Sequence, residues 1–175
     1  MTIFNTIKTT VGYLSTLFRK LSPFDLSGSS LPSIYNYLPI NEQLCTSGQP
    51  TEKQFAAIRD AGFNTVINLA PHQAENSLPD EGATLKTLGI SYIHIPVDFQ
   101  NPTDEDFSNF TKAMRAHADA PLWVHCAANM RVSAFVYRYR CSELGEAREQ
   151  ARADIDKIWQ PFGVWRRFLK DVYTP

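Results

Sequence analysis

The sequence predicts an α/β protein in which helices cover both faces of a mainly parallel sheet. Short β-branched, apolar runs alternate with segments that have helical features, and turn residues separate the two kinds of segment. The 175 residues are 43% hydrophobic, which is enough to build the core of one globular domain. Strands that alternate with helices normally pair in parallel, because each helix crosses over one face of the sheet.

The first element is an amphipathic helix within residues 1–21. Its apolar positions recur at steps of three or four: Ile3, Ile7, Val11, Leu14, Phe18 and Leu21. Lys8, Arg19 and Lys20 add positive charge. Because apolar helix stripes usually face protein, we expect this one to pack on its own domain or on a second copy in a homo-oligomer; weak contact with a membrane surface is the alternative.

A linker is predicted over residues 22–33, which are rich in Ser, Pro and Gly. The chain therefore divides into an N-terminal helix and linker, residues 1–33, and a main domain, residues 34–175. In the main domain, strands are predicted over residues 35–40, 64–70, 91–97 and 121–126.

Helices are expected between these strands and after them. One begins at Thr51 and ends at Gly62, a short one ends near Gly89, and one is capped by Thr103. Another runs from about Arg131 to Glu143, and two more are separated by Pro161. Thr51 and Gln54 form a capping-box pattern, and the three acidic residues after Thr103 suit the positive end of a helix dipole.

Composition argues against several classes of protein. A net charge of −1 gives no reason to expect a nucleic-acid partner. The three cysteines and four histidines lack metal-ligand spacing, so neither a metal nor a cofactor is expected. No run approaches about 20 apolar residues and no secretory leader is apparent, so we expect a reducing, cytoplasmic setting.

The stretch LWVHCAANMRVSAF, residues 122–135, places Cys126 where a predicted strand ends. Ligands of α/β proteins bind beyond the carboxyl ends of the strands. The small residues that follow Cys126 allow backbone N–H groups to form an anion nest, which also stabilises a thiolate. Arg131 adds a planar fork for two oxygens of a phosphate. The pattern favours Cys126 as a nucleophile over an ordinary buried thiol.

The segment VHCAANMR resembles the signature loop of the cysteine-dependent protein tyrosine and dual-specificity phosphatase superfamily: His-Cys, five residues, Arg, then Ser or Thr. Here four residues separate Cys126 from Arg131, Asn129 stands at the glycine position, and Val132 replaces the hydroxyl residue. The shorter spacing is similar to a bacterial branch related to a domain of beta-lactamase-hydrolase-like proteins. Residues 38–69 and the segment YIHIPV also resemble that branch, so the likeness covers about residues 34–168.

The resemblance implies a protein-tyrosine-phosphatase-like fold and a phosphoric monoester hydrolase that forms a phosphocysteine, with protein tyrosine or dual specificity among its activities. Cys126 is then the nucleophile, Arg131 the phosphate clamp and Asp98 the general acid, with Asp104 and Asp106 as alternatives. The implied partner is a phosphorylated protein or a small phosphate ester. The expected substrate-binding residues are His125, Ala127, Ala128, Asn129, Met130, Val132 and Ser133.

Two of these residues have an expected role beyond contact with substrate. His125 is expected to turn away from substrate, hold the loop carbonyls and favour the thiolate. Ser133 is expected to assist the departure of Cys126 by hydrogen bonding. The polar segment of residues 70–83 is long enough to border the site and select substrate.

Two other functions fit the same residues. The Cys-x4-Arg loop also resembles the active-site loop of rhodanese-like sulfurtransferases. In those enzymes the loop holds a persulfide. A phosphate-binding pseudophosphatase, which recognises a partner without turnover, is the third interpretation, since a fold does not fix a function.

Overall fold

The computed structural model describes residues 2–21 and 28–169. The helices are α1 (Thr2–Leu21), α2 (Glu52–Asp60), α3 (Glu81–Thr87), α4 (Asp104–Ala116), α5 (Met130–Ser142), α6 (Arg148–Ile158) and α7 (Val164–Phe168), with a 3₁₀ turn at Leu31–Ser33. The strands are β1 (Leu38–Pro39), β2 (Leu44–Ser47), β3 (Thr65–Asn68), β4 (Ser91–His94) and β5 (Leu122–His125). The predicted α/β class and the extra N-terminal helix are confirmed.

The five strands form one sheet in the order β1-β2-β5-β3-β4. Among the strands that the structure describes, β1 alone is antiparallel, and it lies at the edge beside β2. The strand β5 is central and pairs in parallel with β2 on one side and β3 on the other. The carboxyl end of β5 is therefore surrounded by the carboxyl ends of two neighbours, which is where an α/β sheet presents a ligand site.

Side chains that alternate along the strands build a core on each face of the sheet. On one face, Val124 and Ile67 join a cluster that includes Phe135 of α5. On the other face, Trp123 joins Phe55 of α2 in a second cluster. The two layers hold both sides of β5 in place, because every residue of this strand is buried.

Most predicted elements occur within a few residues of their expected bounds, and both helix starts that were predicted from capping patterns are confirmed. Thr51 with Gln54, and Thr103 with Asp106, each form a complete capping box. The strand β2 was missed, because its four residues, LCTS, carry no apolar run. Of the predicted linker, residues 22–27 lie outside the described residues, and Leu31–Ser33 form the 3₁₀ turn.

The helix α1 is confirmed, but the expectation that its apolar stripe packs on its own domain is wrong. Its polar side makes the contacts: Thr9 Oγ1 donates to Ile158 O at 2.6 Å, and Asn5 Nδ2 donates to Asp156 O at 2.8 Å. These carbonyls lie in the last turn of α6, where carbonyl oxygens lack partners within the helix. The polar side of α1, which carries the hydrogen-bond donors, therefore packs against the end of α6, and the apolar stripe does not. The side chains of Phe18 and Leu21 lie outside the described part of the chain.

Candidate active site

The loop that carries Cys126 turns sharply between β5 and α5. Asn129 precedes α5 with φ +63°, the left-handed conformation that asparagine tolerates better than most residues. Its buried side chain donates from Nδ2 to Asn36 O at 2.8 Å and to Thr46 Oγ1 at 3.0 Å. Asn129 therefore supplies both the backbone conformation and the attachment that this turn requires.

Side chains from distant segments hold the loop carbonyls outward. Asn76 Nδ2 donates to Ala127 O at 2.9 Å, and Asn36 Nδ2 donates to Ala128 O at 3.0 Å. Because a trans peptide points its C=O and the next N–H in opposite directions, the N–H of Ala128 points away from Asn76. An isolated antiparallel bridge joins Ala128 to Gly48, with Gln49 N donating to Ala127 O at 3.3 Å, and a bridge of this kind directs the Asn129 N–H toward Ser47 O. The Ala128 N–H and the N–H groups in the first turn of α5 are therefore the backbone donors that can form an anion nest at this loop.

Cys126 and Arg131 line one cavity of about 490 Å³, together with Ala127, Ala128 and Met130. Arg131 is fixed at its Nε, which donates to Val97 O at 2.9 Å, and its guanidinium carbon lies 5.2 Å from the centre of the Phe99 ring. The engaged Nε leaves the two Nη groups of Arg131 for an oxyanion. Five of the predicted site residues thus meet at this cavity.

The other walls come from segments far along the chain. The helix α1 contributes Thr6, Thr9, Thr10 and Tyr13, and the loop after β3 contributes Pro71, Gln73, Ala74 and Glu75. The loop's expected place at the site is thus confirmed. The role of α1 as a wall was missed, since nothing in its periodicity shows which residues of another segment its polar side meets.

Tyr13 and Glu75 form a polar pair inside the cavity. Burial raises the pKa of Tyr13, and the negative charge of Glu75 raises it further, whereas the positive charge of Arg131 acts in the opposite direction. The two side chains are also joined by a hydrogen bond. This pair brings a carboxyl group into the cavity that holds Cys126, which the sequence did not indicate.

The structure places Asp98 outside the cavity lining, on the exposed segment after β4. Its carboxylate accepts a hydrogen bond from Gln100 N at 2.8 Å, which is a common turn-forming contact. Asp98 is nevertheless next to Val97, whose carbonyl holds Arg131. Of the two alternatives, Asp104 pairs with Arg138 and Asp106 caps α4.

His125 turns away from the cavity, as expected, but the hydrogen-bond partner of its Nε2 is a carboxylate rather than a loop carbonyl. His125 Nε2 lies 3.0 Å from Glu81 Oε1, and because a carboxylate only accepts, the imidazole donates. Burial alone would raise the pKa of Glu81, but the attraction of His125 and the hydrogen bonds from His125 and Gln49 outweigh it and lower that pKa to about 2. Sequence reasoning missed Glu81, which lies 44 positions from its partner.

The last two predicted residues face the protein interior. Val132 is fully buried in the core. The hydroxyl of Ser133 donates to Met130 O at 3.0 Å and accepts from Trp159 Nε1 at 3.1 Å. The structure therefore does not bring Ser133 or Val132 to the cavity.

The class indicated by this geometry is that of cysteine-dependent, protein-tyrosine-phosphatase-like phosphatases. Their arrangement is a cysteine at the end of a central parallel strand, an anion nest, and an arginine in the first turn of the next helix. A family model described as DSP-PTPase phosphatase fused to NAD+ kinase matches residues 18–160. The chain belongs to this family and to the cysteine-dependent phosphatase superfamily. At the family level it is therefore a phosphatase of the protein tyrosine phosphatase type.

Curated relatives and solved structures agree with this assignment. The beta-lactamase hydrolase-like protein of Xylella fastidiosa is 31% identical over 127 residues, which are 71% of this chain and 28% of that protein. The chain thus spans little more than a quarter of that relative's length. A candidate phosphatase of the DUF442 group from Shewanella putrefaciens CN-32 is 36% identical, with a TM-score of 0.74 over 81% of this chain and 93% of that chain.

TpbA of P. aeruginosa, solved in complex with phosphotyrosine, is 20% identical, with a TM-score of 0.59 over 71% of this chain and 73% of that chain. At this identity the likeness shows the shared fold.

Proposed function

We propose that this chain is a phosphoric monoester hydrolase in which Cys126 attacks phosphorus and Arg131 holds two of the phosphate oxygens. One observation carries the proposal: Cys126 and Arg131 line one cavity where the Cys126 loop leads into α5. The helix α5 begins at this loop, so its dipole adds positive potential where the phosphate charge develops.

The reaction has two steps. The Cys126 thiolate forms a sulfur–phosphorus bond while the phosphorus–oxygen ester bond breaks, and the leaving oxygen takes a proton from an acid. Water then attacks phosphorus and gives a proton to the carboxylate that the acid has become, the sulfur–phosphorus bond breaks, and inorganic phosphate leaves as the thiolate is regenerated. Arg131 stays bound to the phosphate through both steps, and its two Nη groups match the spacing of two oxygens.

Asp98 is our proposed proton donor in the first step. Glu75, which lines the cavity, is an alternative proton donor. Catalytic acids often reach their hydrogen-bonding distance only when substrate is bound, so the exposed position of Asp98 agrees with such a role. Glu75 already lines the cavity beside Tyr13. The two candidates can be separated by substitution.

A phosphorylated aromatic group is the substrate that we propose first. Pro71, Phe99 and Phe162 give the cavity apolar walls, which suit an aromatic ring. The phosphotyrosine bound to the P. aeruginosa neighbour supports the same choice. Activity on phosphotyrosine proteins, dual specificity and activity on small phosphate esters all belong to this proposal, because each substrate presents the same terminal phosphate.

The decisive experiment measures the hydrolysis of p-nitrophenyl phosphate by the wild type, four variants of the site and one control variant. We expect Cys126→Ser to abolish turnover, Arg131→Lys to lower kcat/KM by about 100-fold or more, and Asp98→Asn to lower kcat by about 100-fold. Glu75→Gln is expected to have a smaller effect. The matched control is Cys141→Ser, which changes a half-buried cysteine on α5. This variant should behave as the wild type.

Hydrolysis that survives Cys126→Ser contradicts the phosphocysteine mechanism. A large loss in Glu75→Gln with none in Asp98→Asn moves the proton donor to Glu75. Phosphate binding without turnover in the wild type identifies a pseudophosphatase instead.

The short loop favours sulfurtransferase activity as a second candidate, because only four residues separate Cys126 from Arg131 and the thiol is fully buried. In that reaction, thiosulfate gives its outer sulfur to Cys126 and releases sulfite, and cyanide then takes the sulfur as thiocyanate. Thiocyanate formation without phosphate hydrolysis replaces the first proposal with this one.

A further inference from the structure

Among the described residues, the hydrogen bonds that attach α1 to the domain all lie on one side of the helix. Besides the bonds from Asn5 and Thr9, Thr6 Oγ1 accepts from Gln160 N at 2.9 Å and Asn76 Nδ2 donates to Thr16 Oγ1 at 3.4 Å. Tyr35 also donates its hydroxyl proton to Thr9 O. At 100° per residue, all these positions fall on one face of the helix, so this face is already occupied.

The opposite face of α1 is apolar and open. Five residues form this surface, which we call the exposed stripe: Ile3, Phe4, Ile7, Val11 and Leu14. Each is between 50% and 72% exposed, although their spacing is that of residues that normally face a core. Contiguous apolar surface of this kind usually marks a contact with a partner or a membrane.

The charge of α1 indicates which contact this is. The helix contains Lys8, Arg19 and Lys20 and no acidic residue, in a chain whose net charge is −1. Lys8 is exposed and lies one turn from Phe4, at the edge of the exposed stripe. A lysine in this position can extend its amine toward anionic headgroups while its methylenes stay with the apolar residues.

We propose that the exposed stripe binds an anionic lipid surface, with α1 lying in the plane of the membrane. None of the described helices is long and apolar enough to cross a bilayer, so the contact is interfacial. A second copy of this chain fits less well, because a helix that is basic and has no acidic residue offers no opposite charge to an identical helix. Anionic lipid supplies the opposite charge and an apolar layer at once.

The cavity adjoins the exposed stripe around the same helix. Thr6, Thr10 and Tyr13 of α1 line it, on the side of the helix between the stripe and the face that is bonded to the domain. A helix with its side chains is about 10 Å across, so a lipid-bound molecule holds Cys126 close to the membrane surface. This placement follows from the fold and does not depend on which reaction Cys126 performs.

Vesicle sedimentation with the full chain tests the proposal. The vesicles contain either equal parts of phosphatidylcholine and phosphatidylglycerol or phosphatidylcholine alone. We expect the wild type to sediment with the anionic vesicles, less at high salt and much less with neutral vesicles. The double variant Ile7→Gln with Val11→Gln should bind at least about tenfold more weakly, because burial of an apolar side chain drives insertion.

The matched control is Leu144→Gln, which makes the same kind of substitution at an exposed leucine just beyond α5. It should bind vesicles as the wild type does. Circular dichroism and hydrolysis of a soluble aryl phosphate, which should be unchanged in the double variant, show that loss of binding is not loss of folding.

Two outcomes overturn the proposal. One is a wild type that stays in solution with both kinds of vesicle; if sedimentation velocity then shows a dimer that the double variant loses, the stripe is a self-association surface. The other is equal binding to anionic vesicles by the wild type and the double variant. Neither outcome depends on whether the chain hydrolyses phosphate, so this proposal and the proposed function fail separately.

Discussion

The buried pair of Glu81 and His125 connects His125, the residue before Cys126, to the first residue of α3. Asn68 and Gln49 also donate to the carboxylate of Glu81, at 2.9 and 2.5 Å. The ring of His125 additionally packs edge-on against Phe55, 5.6 Å between ring centres. A carboxylate with this many donors is stable in the interior only as part of the network, because a buried charge without partners is costly. The backbone just before Cys126 is thereby held from one side.

Replacing this carboxylate should make stability depend on pH in a defined direction. The pKa of Glu81 falls from 4.5 to about 2 on folding, so the folded state favours the ionised group. The stabilisation, about 3 kcal/mol, is complete above pH 4.5 and is lost as pH falls toward 2. We expect Glu81→Gln to lower the free energy of unfolding by about this amount at neutral pH, measured by urea denaturation.

The difference between wild type and Glu81→Gln should shrink as the pH is lowered through this range. The exposed Glu42→Gln serves as the control and should change the unfolding free energy little at any pH. A difference for Glu81→Gln that is the same at neutral and acid pH would show that the substitution acts through packing rather than through the charge.

Among the elements, the loop of residues 71–80 contacts the Cys126 loop through a hydrogen bond from Asn76 that helps to set the backbone conformation of the Cys126 loop. Asn76 is buried and donates to Ala127 O, the carbonyl whose outward direction turns the next N–H inward. We expect Asn76→Ala to lower kcat by about 10- to 100-fold, because a small displacement of the nest misplaces the phosphate. The expected loss of stability is only about 1 kcal/mol.

The measurement is the steady-state hydrolysis of p-nitrophenyl phosphate beside thermal unfolding. Ser77→Ala is the matched control, since it removes hydroxyl hydrogen bonds to His72 O and Ala74 O inside the same loop. An equal loss of kcat in both variants would indicate that general loop order, rather than the contact with Ala127, supports activity.

For the whole molecule, the sequence was most informative where a local pattern decides the structure. The capping boxes at Thr51 and Thr103 and the apolar strand around Val124 each lie within a few residues, so periodicity and turn chemistry reveal them. The Cys126 loop is equally local. For this reason five of its predicted residues could be assigned to one site before any coordinates were known.

The missed features share a different cause. Glu81 meets His125 across 44 positions, and Asn76 meets Ala127 across 51. Such contacts depend on how the sheet brings the chain together, which no window of sequence contains. The side of α1 that packs on the domain was predicted wrongly for the same reason. Its polar side chains bind carbonyls at the end of α6, and the sequence does not show that these carbonyls lie beside α1.

Binding of an oxyanion should stabilise the whole fold, because the nest and Arg131 exist only in the folded chain. At a phosphate concentration 100 times its Kd, the expected gain is about 2.7 kcal/mol, or a rise in Tm of about 5 to 10 °C for a domain of this size. Calorimetry in phosphate and in chloride of matched ionic strength measures the rise. Arg131→Lys should lose most of it, since an ammonium cannot hold two oxygens in one plane.

This measurement also tests whether four residues between Cys126 and Arg131 leave room for a whole phosphate. If the loop encloses a phosphate, the rise depends on Arg131 and saturates with phosphate concentration. A rise that is the same in the Arg131→Lys variant would instead reflect general exclusion of phosphate from the protein surface. In that case the short loop is too narrow, and the smaller sulfur carried by a persulfide becomes the group that it fits.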